Sequence, residues 1–330
     1  MYSSKDISIV IVSYNRPQEI ERNFVHLERM HSKPYEVLVV DQSEKTDTKR
    51  ICQKHFKKIK NLRYLRSEKP SIAMAKNVGV RNASNHTSIL LFLDDDAYVG
   101  PDYLDEITSA YNRLTDAVGI AGEESVSLNR FPKNRGFFFK MGFLLESYYK
   151  RLFFLGFIGD KYRRVTSPFG NTLPYTSDVD KLAQWFSGTD PSYKKFVFKD
   201  LKFDENFFGW SLGEDIDISY RIYKKYGPLY IVPSSLIHSH PQREWTEERK
   251  IKAIYMNQIN HFYLFYKDMP EMRLRFIWNY IGIFVYRTFA ILNFSKFKDN
   301  YREWRYLAKS FNYCLRNREK IKKGNLSLPI

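Results

Sequence analysis

Residues 89–96, ILLFLDDD, join an unbroken apolar run to three consecutive carboxylates. An apolar run of that length predicts a strand buried on both faces, with Asp94-Asp95-Asp96 at its carboxyl end. The same pattern recurs upstream. Ile7 to Val12 (ISIVIV) and Glu36 to Val40 (EVLVV) read as buried strands, and Leu62 to Leu65 as a short one. Helical stretches separate them. Pro17 suits a first helical turn, and Ile20, Phe24, Leu27 and Met30 follow at helical spacing. Residues 46–60 are polar and helix-compatible, and Ser71 to Ala83 reads as a third helix. Strands alternating with helices predict an α/β fold, a mostly parallel sheet with helices on both faces. Such sheets bind ligands at the carboxyl ends of their strands. Here those ends carry Ser13-Tyr14-Asn15-Arg16, Asp41-Gln42-Ser43 and Asp94-Asp95-Asp96. Three polar strand ends facing one crevice predict a binding site.

The chain has 330 residues, enough for one large or two ordinary domains. Its 17% aromatic content excludes collagen-like and disordered classes. Cys52 and Cys314 form no CxxC, so a cysteine zinc site or disulfide framework is not expected. No signal peptide is expected in MYSSKDISIVIVSYN. The net charge is +16, unevenly distributed. Residues 1–128 are neutral, 129–168 carry +7, 169–240 carry −1 and 241–330 carry +10. Four segments follow: 1–128, a basic aromatic insertion at 129–168, 169–240, and a basic helical region at 241–330. Phe276 to Phe294 is the most apolar stretch of the last segment, but Asn279, Arg287 and Asn293 interrupt it. It reads as a helix lying on a membrane surface or packed against the domain, not as a span.

Three clusters carry chemistry. Adjacent carboxylates at 94–96 repel one another, and a divalent cation such as Mg²⁺ or Mn²⁺ relieves that repulsion. The acidic run Gly213-Glu214-Asp215-Ile216-Asp217 opens a helix that Gly227 ends. Acidic helix capping is one reading of it; a general base at the mouth of a site is the other. Trp210 and Phe207-Phe208 lie just upstream, where aromatic faces suit sugar rings. His238-Ser239-His240 follows a short strand at Leu229 to Val232 and a turn at Pro233. One of these histidines suits a metal, since alternate residues on an extended chain point opposite ways. GxGxxG, GxxxxGK[ST] and GxSxG are absent, as are RNA-binding aromatic motifs and zinc fingers.

In order, ISIVIVSYNRP, VLVVDQS, PSIAMAKNVGVRNA, ILLFLDDDAYVGPDYL, FDENFFGWSLGEDIDISYRIYKKYG and VPSSLIHSH resemble the family 2 glycosyltransferases of the GT-A fold. The resemblance covers roughly residues 7–240, and it implies that 1–128 is the nucleotide-sugar-binding half of the domain and 169–240 its acceptor-binding and catalytic half. It implies a Rossmann-like, mostly parallel sheet with a helical C-terminal extension, a nucleotide-sugar donor, and inverting transfer. It implies donor-side roles for Ser13, Tyr14, Asn15, Arg16, Asp41, Lys76, Asn77, Asp94 and Asp95. Asp96 then ligates the metal, with His238 as partner and His240 as the alternative. Asp215 becomes the general base, with Glu214 beside it, and Trp210 and Gly213 fall on the acceptor side. VDQS lacks the glycine of the more usual VDDGS or VDNGS, and Lys76 stands where Arg is commoner. No Gln-x-x-Arg-Trp is present, which favours transfer of a single residue.

The expectation is a metal-dependent transferase using a UDP-sugar and a glycan or lipid-linked acceptor in cell-surface polysaccharide synthesis. The basic aromatic segments suit an anionic membrane surface, which implies a cytoplasmic protein peripheral on the inner face of the cell membrane. No nucleic-acid partner is expected. The competing readings are an inactive scaffold that binds membrane or nucleic acid through its basic segments, and a nucleotidyltransferase.

Overall fold

The computed structural model describes residues 1–124, 145–146, 148–149, 152–153, 163–164, 180–209, 213–238, 246–292 and 294–329. The first half alternates as expected: β1 (Ile7–Ser13), α1 (Pro17–Arg29), β2 (Glu36–Asp41), α2 (Asp47–His55), β3 (Leu62–Arg66), α3 (Ile72–Asn82) and β4 (Ile89–Asp94). After it come β5 (Ala97–Val99), α4 (Tyr103–Arg113), β6 (Gly119–Glu124), β7 (Arg163–Arg164), β8 (Lys181–Ala183) and β9 (Ser192–Lys194). Then follow α5 (Glu214–Tyr226), β10 (Leu229–His238), α6 (Glu247–Asp268), α7 (Arg273–Ile291), α8 (Phe297–Arg316) and the short α9 (Arg318–Lys322). The strands form one mixed, mostly parallel sheet in the order β3-β2-β1-β4-β9-β6-β10-β8-β7, with β5 added to β10. β9 runs antiparallel between β4 and β6, so the two halves of the chain share one sheet.

Alternation along β1 shows how the sheet is held. Ile7, Ile9 and Ile11 face a core built with Ile20 and Phe24 of α1 and Leu104 and Ile107 of α4. Val10 faces the opposite core, with Ala73 and Ala75 of α3 and Ile218 and Ile222 of α5. Both faces are covered, which explains why these strands read as continuous apolar runs. A third core, around Phe262, Phe265, Phe276 and Tyr280, packs the C-terminal helices against α5 through Ile216 and Tyr220.

Two details differ from the sequence reading. The last strand does not end at Val232: it runs to His238, and the register shifts between Pro233 and Leu236. Pro233 therefore sits at an irregularity of the ladder, where its missing N–H is tolerated, and not in a turn. Among the described residues after 241, four α-helices follow one another. Among the described residues no helix is long and apolar enough to cross a membrane. Most of the basic segment 129–168 lies outside the described residues.

Gly79 lets α3 lie close on β1. A Cβ there would stand 2.4 Å from Val10 Cγ1 and 3.1 Å from its Cγ2. Alanine in a helix interior gains up to ~1 kcal/mol over glycine. Overpacking a filled core costs about 1–3 kcal/mol, so the clash wins. Gly79→Ala is expected to lower the urea midpoint of unfolding; a raised midpoint would show that this contact relaxes freely.

Candidate active site

The three strand ends do meet. At the end of β1, Ser13 Oγ donates to Asp95 Oδ2 at 3.0 Å. Asn15 takes a left-handed φ of 55°, and its N–H donates to Ser43 Oγ at 2.7 Å. That bond ties the loop after β1 to the loop after β2. Tyr14 is left exposed between them. Arg16, just before α1, donates one guanidinium nitrogen to Asp95 and another to Asp96 Oδ2 at 2.8 Å. The repulsion expected within the acidic triplet is thus offset by a fixed cation. Burial pushes the Asp95 carboxyl up to about 7; Arg16 pulls the other way, and neighbouring Asp96 adds to the rise.

Asn23 of α1 was not singled out from sequence. Its Nδ2 donates to the carbonyl of Ala97 at 2.8 Å and to that of Asp94 at 3.3 Å, pinning the turn that presents the triplet. The available signal is a polar residue beside Phe24 on the inward face of α1. Asp41 is fully buried and accepts from Ser43 N–H at 3.0 Å and Tyr64 Oη at 2.9 Å. It closes the DQS turn by side-chain bonds, which replaces the missing glycine's role of permitting the turn. Asn77 is likewise built in: its amide donates to the Phe203 carbonyl at 2.9 Å and to Glu205 Oε1 at 2.8 Å, and accepts from Phe203 N–H at 3.0 Å.

Lys76 joins the two acidic clusters. It is 3% exposed, its Nζ lies 2.7 Å from Glu214 Oε1, and it sits 5.4 Å from the centre of the Phe203 ring. Burial works against its charge; Glu214, then Asp94 and Asp215, outweigh that and raise its pKa. Gly213, at a φ of 103°, precedes α5 as its N-cap and turns Glu214 and Asp215 into the site. Glu214 accepts from the Asp215 N–H, and Asp215 Oδ1 accepts from the Ile216 N–H at 2.9 Å. Asp215 keeps a partly exposed edge. Burial and the Glu214 carboxylate push its carboxyl up to about 7, against the pull of Lys76. Gly188 borders this pair: a Cβ on it would lie 3.6 Å from both Asp215 Oδ2 and Lys76 Nζ, an ordinary contact distance.

Asp217 faces away from this chemistry. It is fully buried and held by Arg221, with Nε at 3.1 Å, and by Lys267 of α6. Lys267 also meets Asp204 at 2.6 Å. The C-terminal helices thereby brace the first turn of α5.

Of the expected metal ligands, Asp96 is 8% exposed beside Arg16. Pairing of β10 with β5 sets the backbone of His238 opposite Ala97, the residue after Asp96. The His238 side chain, His240 and Trp210 lie outside the described residues. Among the described residues no group of three or more His, Cys, Asp or Glu side chains is arranged to hold an ion alone. The donors at 94–96 are hard carboxylate oxygens, which fit a Mg²⁺-type ion bound by one or two carboxylates plus substrate phosphates. A separate cavity of about 760 Å³, lined in part by Asp102, Glu106, Arg113 and Asp180, includes none of these residues.

Known proteins resemble this chain in sequence and fold. The profile of glycosyl transferase family 2 matches residues 8–167. A validoxylamine A glucosyltransferase from Streptomyces hygroscopicus subsp. limoneus is 26% identical over 261 residues, 76% of this chain and 55% of its own length. The chain thus spans about half the length of the curated relatives it matches. S. aureus TarS, residues 1–349 in complex with UDP-GlcNAc, superposes with a TM-score of 0.54 at 15% identity, covering 92% of this chain and 79% of that one. A mannosyltransferase from Pyrobaculum calidifontis, in complex with GDP-Man and Mn²⁺, gives 0.51 at 15% identity, covering 100% and 78%. These two share the fold of the sheet and its flanking helices. The motif order and the profile match mark residues 8–167 as similar to glycosyl transferase family 2, and the sheet with its flanking helices has the GT-A fold.

Proposed function

We propose that this chain moves a sugar from a nucleotide sugar, a UDP-sugar, to a hydroxyl of a glycan or lipid-linked acceptor in cell-surface polysaccharide synthesis, with inversion at the anomeric carbon. The observation that carries the reading is Asp215. It is a half-buried residue in the first turn of α5, beside Glu214 and within the field of Lys76, in a chain whose residues 8–167 match a glycosyltransferase family. A base poised near neutral pH suits a hydroxyl nucleophile.

In the proposed reaction the acceptor hydroxyl attacks the anomeric carbon from the face opposite the diphosphate. Asp215 takes the hydroxyl proton as the new bond forms. The old carbon–oxygen bond breaks, and its electron pair leaves on the nucleoside diphosphate. Lys76 holds Glu214, and Glu214 holds the N–H of Asp215, so the base is fixed in place. Ser13, Tyr14, Asn15, Arg16, Asp94 and Asp95 form the donor side. Asp41 and Asn77, whose polar atoms are already engaged, shape that side through the loops they hold. Trp210 and Gly213 belong to the acceptor side. Asp96, with His238 or in its stead His240, is proposed to hold Mn²⁺ or Mg²⁺. When bound, the ion supplies positive charge to the leaving diphosphate. The protein works at the inner face of the cell membrane, where lipid-linked acceptors are presented.

The test is nucleoside diphosphate release from UDP- and GDP-sugars with soluble acceptors, followed against pH. A base raised to about 7 must be ionised to work, so turnover is expected to fall as pH drops below that value. Turnover that stays flat from about pH 5 to 8 removes Asp215 as the base.

A further inference from the structure

Helix α7 wears its apolar side outward. Phe276 and Tyr280 are buried in the C-terminal core, and Asn279 and Gly282 are buried against Phe153. The opposite face presents Leu274, Ile277, Trp278, Ile281, Phe289 and Leu292 at helical spacing, all exposed, Leu274 at 83% and Phe289 at 66%. An ordinary surface helix turns charge toward water along this face. Here no carboxylate occurs from 272 to 298, while Arg273 and Arg275 stand at one end and Lys296 and Lys298 just past the other. Arg287 leaves the exposed face and pairs with Glu303 at 2.8 Å. The apolar surface continues onto a second segment. Trp278 Nε1 donates to the Leu152 carbonyl at 2.7 Å, and Phe153 stacks on Trp278 with ring centres 4.8 Å apart. Leu145, Tyr148 and Leu152 of that segment are each at least 60% exposed.

We infer that this face is a docking surface for an anionic lipid bilayer. The helix lies in the interface plane, its apolar side chains in the headgroup–acyl boundary and its terminal cations against lipid phosphates. At ~1.5 Å per residue it offers a contact about 28 Å long. A continuous apolar face with cations at its ends and no acid is the pattern of an interfacial helix. Charge also argues against a second copy as the occupant. Whichever way two such helices pair, the ends that meet are cationic. The inference rests on the reading of the chain as an enzyme that meets its acceptor at a membrane, and it names the surface that brings it there.

The test is co-sedimentation of the full chain with phosphatidylcholine vesicles, with and without phosphatidylglycerol. It compares the wild type with the triple variant Ile277→Ser, Ile281→Ser and Phe289→Ser. All three positions are exposed, so the fold should survive, which circular dichroism and nucleotide binding verify. Expected is binding that requires phosphatidylglycerol and falls at least about tenfold in the variant. Binding that ignores lipid charge, that survives the triple substitution, or that does not occur overturns the inference. So does a dimer in sedimentation velocity that the triple variant dissolves. Turnover with a soluble acceptor separates the two readings: vesicle binding absent with turnover intact sinks this inference alone, and the reverse sinks only the transferase reading.

Discussion

Asp215→Asn is expected to lower turnover by ~10²–10⁴-fold while nucleotide affinity stays unchanged. Asparagine keeps the shape, and its Oδ1 still accepts from the Ile216 N–H that Asp215 holds. What it loses is the capacity to take a proton. The loss should therefore fall on kcat, and the residual rate should no longer decline below about pH 7. A variant with near-native kcat would mean that another group serves as base. Stability gives an independent readout. Asp215 has a folded pKa above its unfolded value, so its contribution is full below about pH 4 and is lost as pH rises through about 7. The Asp215 carboxyl is thus ionised at the expense of the fold, and the pH dependence of thermal unfolding across that window should flatten in Asp215→Asn.

Lys76→Met is expected to destabilise the fold by about 3–5 kcal/mol, because it strands the buried Glu214 carboxylate beside Asp215. Removing both charges, as in Lys76→Met with Glu214→Gln, should restore most of that loss, since the buried Glu214 charge that Lys76 pairs is gone. Urea unfolding of the two variants measures this directly. A single variant within ~1 kcal/mol of wild type would show that the pair is hydrated and weak. Lys76 also holds the Asp215 carboxyl down, so its loss should move the acid limb of the pH profile upward.

Much of the fold was legible because it is local. Apolar runs such as ISIVIV and ILLFL are explained by a sheet covered on both faces, and Pro17 does open α1. The grouping of strand ends was legible for the same reason: parallel topology brings Ser13 and Asp95 together. What was not legible depends on distant partners. Lys76 and Glu214 are 138 residues apart, and no spacing rule joins them. Asn23 was not singled out, because the turn it pins lies more than seventy residues further along the chain. Pro233 read as a turn because its partner strand, which absorbs the irregularity, is far away in sequence. The apolar character of α7 was plain, but which face it turns outward is decided by what packs on Phe276 and Tyr280.

The most direct test of the central claim, that these strand ends form a nucleotide-sugar site, is thermal unfolding with UDP, GDP and their sugars, with and without Mn²⁺. It is run on the wild type and Asp96→Ala. A ligand at one hundred times its Kd adds about 2.7 kcal/mol, a clear shift in Tm. Expected is Mn²⁺-dependent stabilisation by one nucleotide series, lost in Asp96→Ala. Stabilisation by none of them, or stabilisation that Asp96→Ala leaves untouched, would contradict the claim.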